Sequence, residues 1–195
     1  VPHTLMRMAD DSICYLTRRI DRIPSGEKIA MEDMCQLTER QTEYKYKSSY
    51  ERVGKTILKY SSLPKMDVTN YFEVVLFCWL TGNNDMHLKN FSLYDVGQDI
   101  CLAPAYDLLN AAIINPKDDE ELALTLNGRK KNLKREDFIK AAQVLDIQPV
   151  VVTRLIDKYI RLQSKFEEVI KSSFLSRDLQ DKYIDMLKKR LNRLK

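Results

Sequence analysis

The chain has 195 residues, of which 44% are hydrophobic and 31% charged, so disordered and fibrous classes are excluded and one compact unit is expected. Its formal charge of +4 is spread over interleaved acids and bases, and the one basic concentration, Lys188, Lys189, Arg190, Arg193 and Lys195, suits the C-terminal dipole of a helix, so no direct nucleic-acid contact is predicted. The longest apolar run, Tyr71 to Leu80, is broken by Glu73 and is about half the roughly 20 residues a membrane span needs, which points to a cytoplasmic protein with no membrane partner.

In chain order, Ile13 to Ile20 carries alternating, β-prone residues and runs into Arg19-Ile20-Asp21-Arg22 before the Pro24-Ser25-Gly26 breaker, which reads as a strand entering a turn. Cys14, Cys35, Cys78 and Cys101 lie far apart, with only His3 and His87 to join them, so free thiols in a reducing compartment are expected rather than a zinc framework. Tyr50, Val53, Ile57 and Tyr60 repeat at helical spacing, as do Val68, Phe72, Val75 and Trp79, with Asp67 as the expected N-cap of the second set. The stretch Val68 to Thr81 is apolar on most faces and predicts a central, buried helix.

From Phe91 the period changes to two. Phe91 and Leu93, then Ile100 and Leu102, read as short strands joined by Asp95-Val96-Gly97-Gln98. Beyond Asn127-Gly128 the helical pattern returns at Phe138, Ala142 and Leu145, then in one stripe from Val152 to Val169 and another from Leu179 to Leu191. These stripes are core-facing.

The polar segment Gly82 to Asn90 follows the buried helix and enters the hairpin. Asp85 and Asn90 are close enough in sequence for one loop to aim both side chains into a small volume, with His87 between them. A strand that leaves Asn90 and returns after a tight turn brings Asp107 back beside it, with Pro104 stiffening the exit. An Asp to accept a hydroxyl proton, with an Asn and a second Asp as hard oxygen ligands for magnesium, are the parts of a phosphoryl-transfer site. Taken singly, Asp85 also reads as a helix-end turn residue, Asn90 as an ordinary loop residue and Asp107 as an N-cap for Leu108 to Ile114. Their order on one helix, loop and hairpin favours the site. His87 is open to two readings, contact with the transferring phosphoryl group or bracing of the loop, and Lys89 reads as a solvated charge.

These residues carry a family resemblance. Asn83-x-Asp85-x-His87-x-Lys89-Asn90, followed by Pro104-x-Tyr106-Asp107-Leu108, resembles the catalytic and metal-binding motifs of HipA-type bacterial toxin kinases. Arg19-Ile20-Asp21-Arg22 resembles the family's Arg-Phe-Asp-Arg strand end, and Glu32-Asp33-Met34-Cys35-Gln36 its Glu-Asp-Met-Cys-Gln helix. The resemblance implies a mainly α fold, the C-terminal lobe of a protein-kinase-like enzyme, built as a helical bundle with one or two small β-hairpins. Residues 1–130 would hold the catalytic loop and metal-binding core and 131–195 a helical tail.

It further implies ATP and magnesium as cofactors, Asp85 as catalytic base with His87 beside it, and Asn90 and Asp107 as the metal- and nucleotide-binding pair. The implied partners are a protein substrate, in the family an aminoacyl-tRNA synthetase, and a HipB-like helix-turn-helix antitoxin. The family's ATP-gripping N-terminal lobe is a third expected partner, because Gly26, Gly54, Gly82, Gly97 and Gly128 are isolated and form no phosphate cradle. Two other readings remain open at this level: a non-catalytic pseudokinase or binding subunit, and a small-molecule or lipid kinase.

Overall fold

A helix that is apolar on nearly every side cannot face water, and the rest of the chain is arranged around one. In the computed structural model, which describes Val1–Lys195, this helix is α3 (Pro64–Thr81), with Val68, Tyr71, Phe72, Val75, Leu76, Trp79 and Leu80 all buried. Three helices supply its cover: α2 (Tyr50–Tyr60) through Tyr50, Val53 and Ile57, α5 (Arg135–Val144) through Phe138, and α8 (Arg177–Asn192) through Leu187 and Leu191. The Trp79 and Phe138 rings lie 4.9 Å apart at the centre of this packing. With 47% of residues helical and only small antiparallel sheets, the fold is mainly α with small β-hairpins, as expected. No helix is long and apolar enough to cross a membrane.

The N-terminus of α3 differs from expectation. Pro64 opens the helix after Leu63, and Asp67 lies inside the first turn, buried. Its Oδ2 instead accepts from Ser61 Oγ at 2.6 Å and from the Leu102 amide at 2.7 Å. Asp67 therefore ties the helix start to a strand instead of capping it.

That strand belongs to a three-stranded antiparallel sheet of β3 (Met31–Asp33), β4 (Ser92–Asp95) and β5 (Ile100–Leu102), with β4 in the middle. The register pairs Asp33 with Ser92 and Leu93 with Leu102. The β4–β5 hairpin matches the change of period, although Phe91 lies just before the strand. β3 departs from the resemblance, which implies helix from Glu32 to Gln36. Only Met34–Leu37 is helical (α1), begun by Asp33, whose carboxylate accepts from the Cys35 and Gln36 amides while Gln36 reaches back to the Asp33 amide.

At the N-terminus, β1 (His3–Arg7) and β2 (Ile13–Thr17) form a separate hairpin, so the expected strand is shorter than Ile13 to Ile20 and has a partner that the sequence did not announce. The stripe from Val152 to Val169 is two helices, α6 (Pro149–Arg161) and α7 (Gln163–Lys171), which meet at Leu162. No glycine or proline marks the break. The apolar stretch after Asp107 yields only the short α4 (Ala111–Ile114).

α3 ends where Gly82 takes φ +83°, and this turn launches the polar loop. A Cβ on Gly82 would also meet Asn110 Oδ1 at 2.5 Å and Met186 Cε at 2.7 Å. Gly82→Ala is therefore expected to destabilise the fold by about 1–3 kcal/mol, the cost of a left-handed non-glycine residue in a crowded place, as read by urea unfolding.

Candidate active site

The loop after Gly82 is built from inside. Met86 and Leu88 are buried in the core and pin the chain on either side of His87, while Phe91 packs edge-on against Tyr71 with ring centroids 5.0 Å apart. The two asparagines at its start are structural. Asn83 accepts from the Asp85 amide at 3.3 Å and donates to the Asp107 carbonyl at 3.4 Å, and Asn84 donates to the Glu120 carbonyl at 3.0 Å. A single 3-10 turn, Leu88–Asn90, closes the loop, with Asn90 Oδ1 accepting from the His87 amide at 3.2 Å.

The hairpin then returns as the change of period predicts. Ala103 donates to the Ser92 carbonyl at 2.9 Å, which keeps the chain beside β4 just past the end of β5. The Tyr106 hydroxyl donates to the Lys89 carbonyl at 2.9 Å and lies 2.6 Å from Ser92 Oγ, clamping the returning segment onto the loop. Asn90 Nδ2 donates to Asp107 Oδ2 at 2.7 Å, so the two side chains are in direct contact. Asp107 caps nothing: Asn110 supplies the α4 cap, accepting from the Ile113 amide at 3.1 Å. Asp107 instead sits at φ +56°, a left-handed conformation that Asp tolerates better than most residues.

The Asp85 carboxylate is held by a residue from outside the loop, its Oδ1 accepting from the Tyr46 hydroxyl at 2.7 Å. His87 is buried, with Nδ1 unpartnered and its ring 5.0 Å from that of Tyr46 in an edge-on contact. Burial, and secondarily the Lys45 ammonium, hold its pKa below the usual imidazole value, so it is a neutral group at pH 7. Lys89 is not a free solvated charge, because its ammonium pairs with Asp33 Oδ2 at 2.6 Å. Asp33 thus starts α1 with one oxygen and holds the catalytic-type loop with the other.

The Arg19 to Arg22 segment lies on the surface as an ion cluster. Arg19 grips Asp21 with two nitrogens, at 2.9 and 2.6 Å, and Arg22 adds a contact at 2.7 Å. The Arg19 hydrogen bonds hold the Asp21 carboxyl at about 2, well below the usual carboxylate range.

The motifs give no sign of Tyr46, of the pairing of Asp33 with Lys89 or of the Tyr106 clamp. Tyr46 has no signal of its own, since Tyr44-Lys45-Tyr46-Lys47 alternates for only four residues before Ser48-Ser49 and nothing in it points to Asp85. Asp33 shows the spacing of a capping box with Gln36, yet nothing local points to Lys89.

The oxygens of Asn90 and Asp107 fit a hard divalent cation. Asn90 Oδ1 takes one donor where an amide oxygen can take two, and Asp107 Oδ1 receives no donor from the chain. A carboxylate and an amide in contact, with a second carboxylate and a neutral imidazole on the same loop, form a set able to hold a cation and accept a proton within one small region.

Comparison with known proteins gives the chain relatives. Residues 1–169 match the sequence model of the HipA-like C-terminal domain. A Haemophilus influenzae protein named "Putative kinase" is 25% identical over 160 residues, covering 73% of this chain and 47% of that protein. Two Sinorhizobium fredii proteins carry similar names: "Putative kinase Y4dM", 35% identical over 58% of this chain and 27% of its own length, and "Putative kinase Y4mE", 27% identical over 92% and 44%. The chain thus spans half or less of the length of these curated relatives. Among solved structures, a chain of the Shewanella oneidensis HipA, HipB and operator DNA complex superposes with a TM-score of 0.83 at 19% identity, over 99% of this chain and 51% of that one.

Proposed function

Because the chain belongs to the family of HipA-like C-terminal domains, we propose that it is the catalytic half of an ATP-dependent kinase that phosphorylates serine or threonine hydroxyls on a protein. The observation that carries this reading is the 2.7 Å contact between Asn90 and Asp107 on the loop and hairpin that also hold Asp85. Asp85 accepts the proton of the substrate hydroxyl as its oxygen bonds to the γ-phosphorus and the bond to the departing ADP oxygen breaks. Asn90 and Asp107 would hold magnesium, which supplies charge neutralisation on the phosphates when bound. His87 braces the loop through its backbone amide, which donates to Asn90 Oδ1, and its ring Nδ1, without a partner in the chain, is proposed to meet a phosphate oxygen or a water.

The relatives are about twice as long, and the remaining half is proposed to be the N-terminal lobe that grips ATP. A HipB-like helix-turn-helix antitoxin is proposed as the restraining partner, since the Shewanella oneidensis structure contains HipA with HipB and operator DNA. An aminoacyl-tRNA synthetase in the cytoplasm is the proposed substrate by family.

Calorimetric titration with Mg-ATP tests the reading, first on this chain alone and then on the chain joined to an N-terminal lobe. Binding in the joined form, followed by transfer of radiolabelled phosphate to protein, is the expected result. Failure of the joined form to bind nucleotide would overturn the kinase reading in favour of a non-catalytic binding subunit.

A further inference from the structure

The segment from Lys45 into the first residue of α2 is stitched to the polar loop at three points. The Lys45 carbonyl accepts from the Leu88 amide at 3.2 Å, the Tyr46 hydroxyl donates to Asp85 at 2.7 Å, and the Tyr50 hydroxyl donates to the Met86 carbonyl at 3.0 Å. Two of these bonds end on backbone and fix where the loop runs. The third ends on the carboxylate itself. Tyr50 is in turn held by the Tyr71 hydroxyl of α3, which donates to its carbonyl at 2.9 Å, so the segment is rigidly tied to the core from which the loop springs.

We propose that Tyr46 is a positioning residue for the Asp85 carboxylate, holding one oxygen by its hydroxyl so that the other stays free in a fixed orientation to accept a proton. The inference rests on the reading of Asp85 as the base. Asp85 Oδ1 receives the Tyr46 hydroxyl and Oδ2 receives no donor from the chain, so the carboxylate has one anchored and one available oxygen. The Tyr46 ring is itself wedged, with the Lys45 ammonium 5.0 Å from its centroid on one contact and the His87 ring 5.0 Å away on another. Burial, and then the Asp85 carboxylate, push the Tyr46 hydroxyl up to about 12, so it stays protonated and a donor at every physiological pH. A carboxylate on a surface loop otherwise rotates freely about its side-chain torsions, and a base misaligned by a fraction of an ångström loses much of its effect.

The test is Tyr46→Phe in the complete kinase, this chain with its nucleotide-binding lobe, beside Asp85→Asn. Tyr46 is partly exposed and only its hydroxyl is removed, so the ring contacts and the fold are kept, which thermal melting verifies. The expected result is a fall in kcat of about tenfold with the KM for Mg-ATP unchanged, the size of one hydrogen bond to a charged group. A merely structural tyrosine would leave kcat alone or move both constants together. If Asp85→Asn is inactive and Tyr46→Phe has normal kcat, the positioning role is overturned while the base survives. If Asp85→Asn stays active, the base reading falls and this inference falls with it.

Discussion

Asp85→Asn in the complete kinase is expected to cut phosphoryl transfer by about 10²–10⁴-fold, the usual worth of a positioned general base, while the protein folds normally and binds Mg-ATP with unchanged affinity. The substitution is chosen for its shape. Asparagine keeps an oxygen where the Tyr46 hydroxyl donates, and the loop itself is held by Met86, Leu88 and the backbone bonds to Lys45 and Tyr50, none of which involves the Asp85 side chain. What is lost is the capacity to take a proton. Asp85 also makes no hydrogen bond to Asn90 or Asp107, which bond to each other, so nucleotide binding is expected to be kept. Radiolabelled transfer to a protein substrate measures the first effect, and calorimetry with Mg-ATP the second. Near-normal transfer would remove Asp85 from the base role, and a parallel loss of nucleotide affinity would place it among the cation-holding groups.

How much of this could be read from the sequence depends on what each element buries. The periodicity predicts α2, α3 and α8 because each sets a stripe or more of large side chains against the core, Tyr50 to Ile57, Val68 to Leu80 and Leu187 to Leu191. The change of period predicts the β4–β5 hairpin and hence the approach of Asp107 to Asn90, which is the part of the site that local pattern can carry. Of the N-terminal hairpin the alternation marks β2 but not its partner β1, where Leu5 and Met6 are both substantially exposed and no face alternates between core and solvent. Strand β3 escapes because three residues are too few for a period and the capping residues beside it read as helix. Asp67 and Lys89 were misjudged for a different reason. Their partners, Leu102 and Asp33, lie 35 and 56 positions away, and a local motif does not show a long-range hydrogen bond. Tyr46 belongs to the same class, 39 positions from the carboxylate it touches.

Asp107→Asn is expected to weaken the binding of Mg-ATP by at least about tenfold and to abolish the advantage that magnesium confers over metal-free ATP. Alanine is the poorer probe at this site. Asp107 sits at φ +56°, where Asp and Asn are tolerated and alanine adds strain, and losing the side chain would also leave Asn90 Nδ2 without its acceptor. Asparagine keeps the left-handed turn and can still accept from Asn90, so the change is confined to one negative charge on the oxygen pair proposed to hold the cation. The Tyr106 clamp onto the Lys89 carbonyl and Ser92 is untouched, which keeps the hairpin in place. Titrating the complete kinase with ATP in magnesium and in EDTA separates the two effects. A wild-type affinity in magnesium would mean that Asp107 serves the turn alone. An equal loss with and without the metal would mean that it shapes the nucleotide pocket without holding the cation.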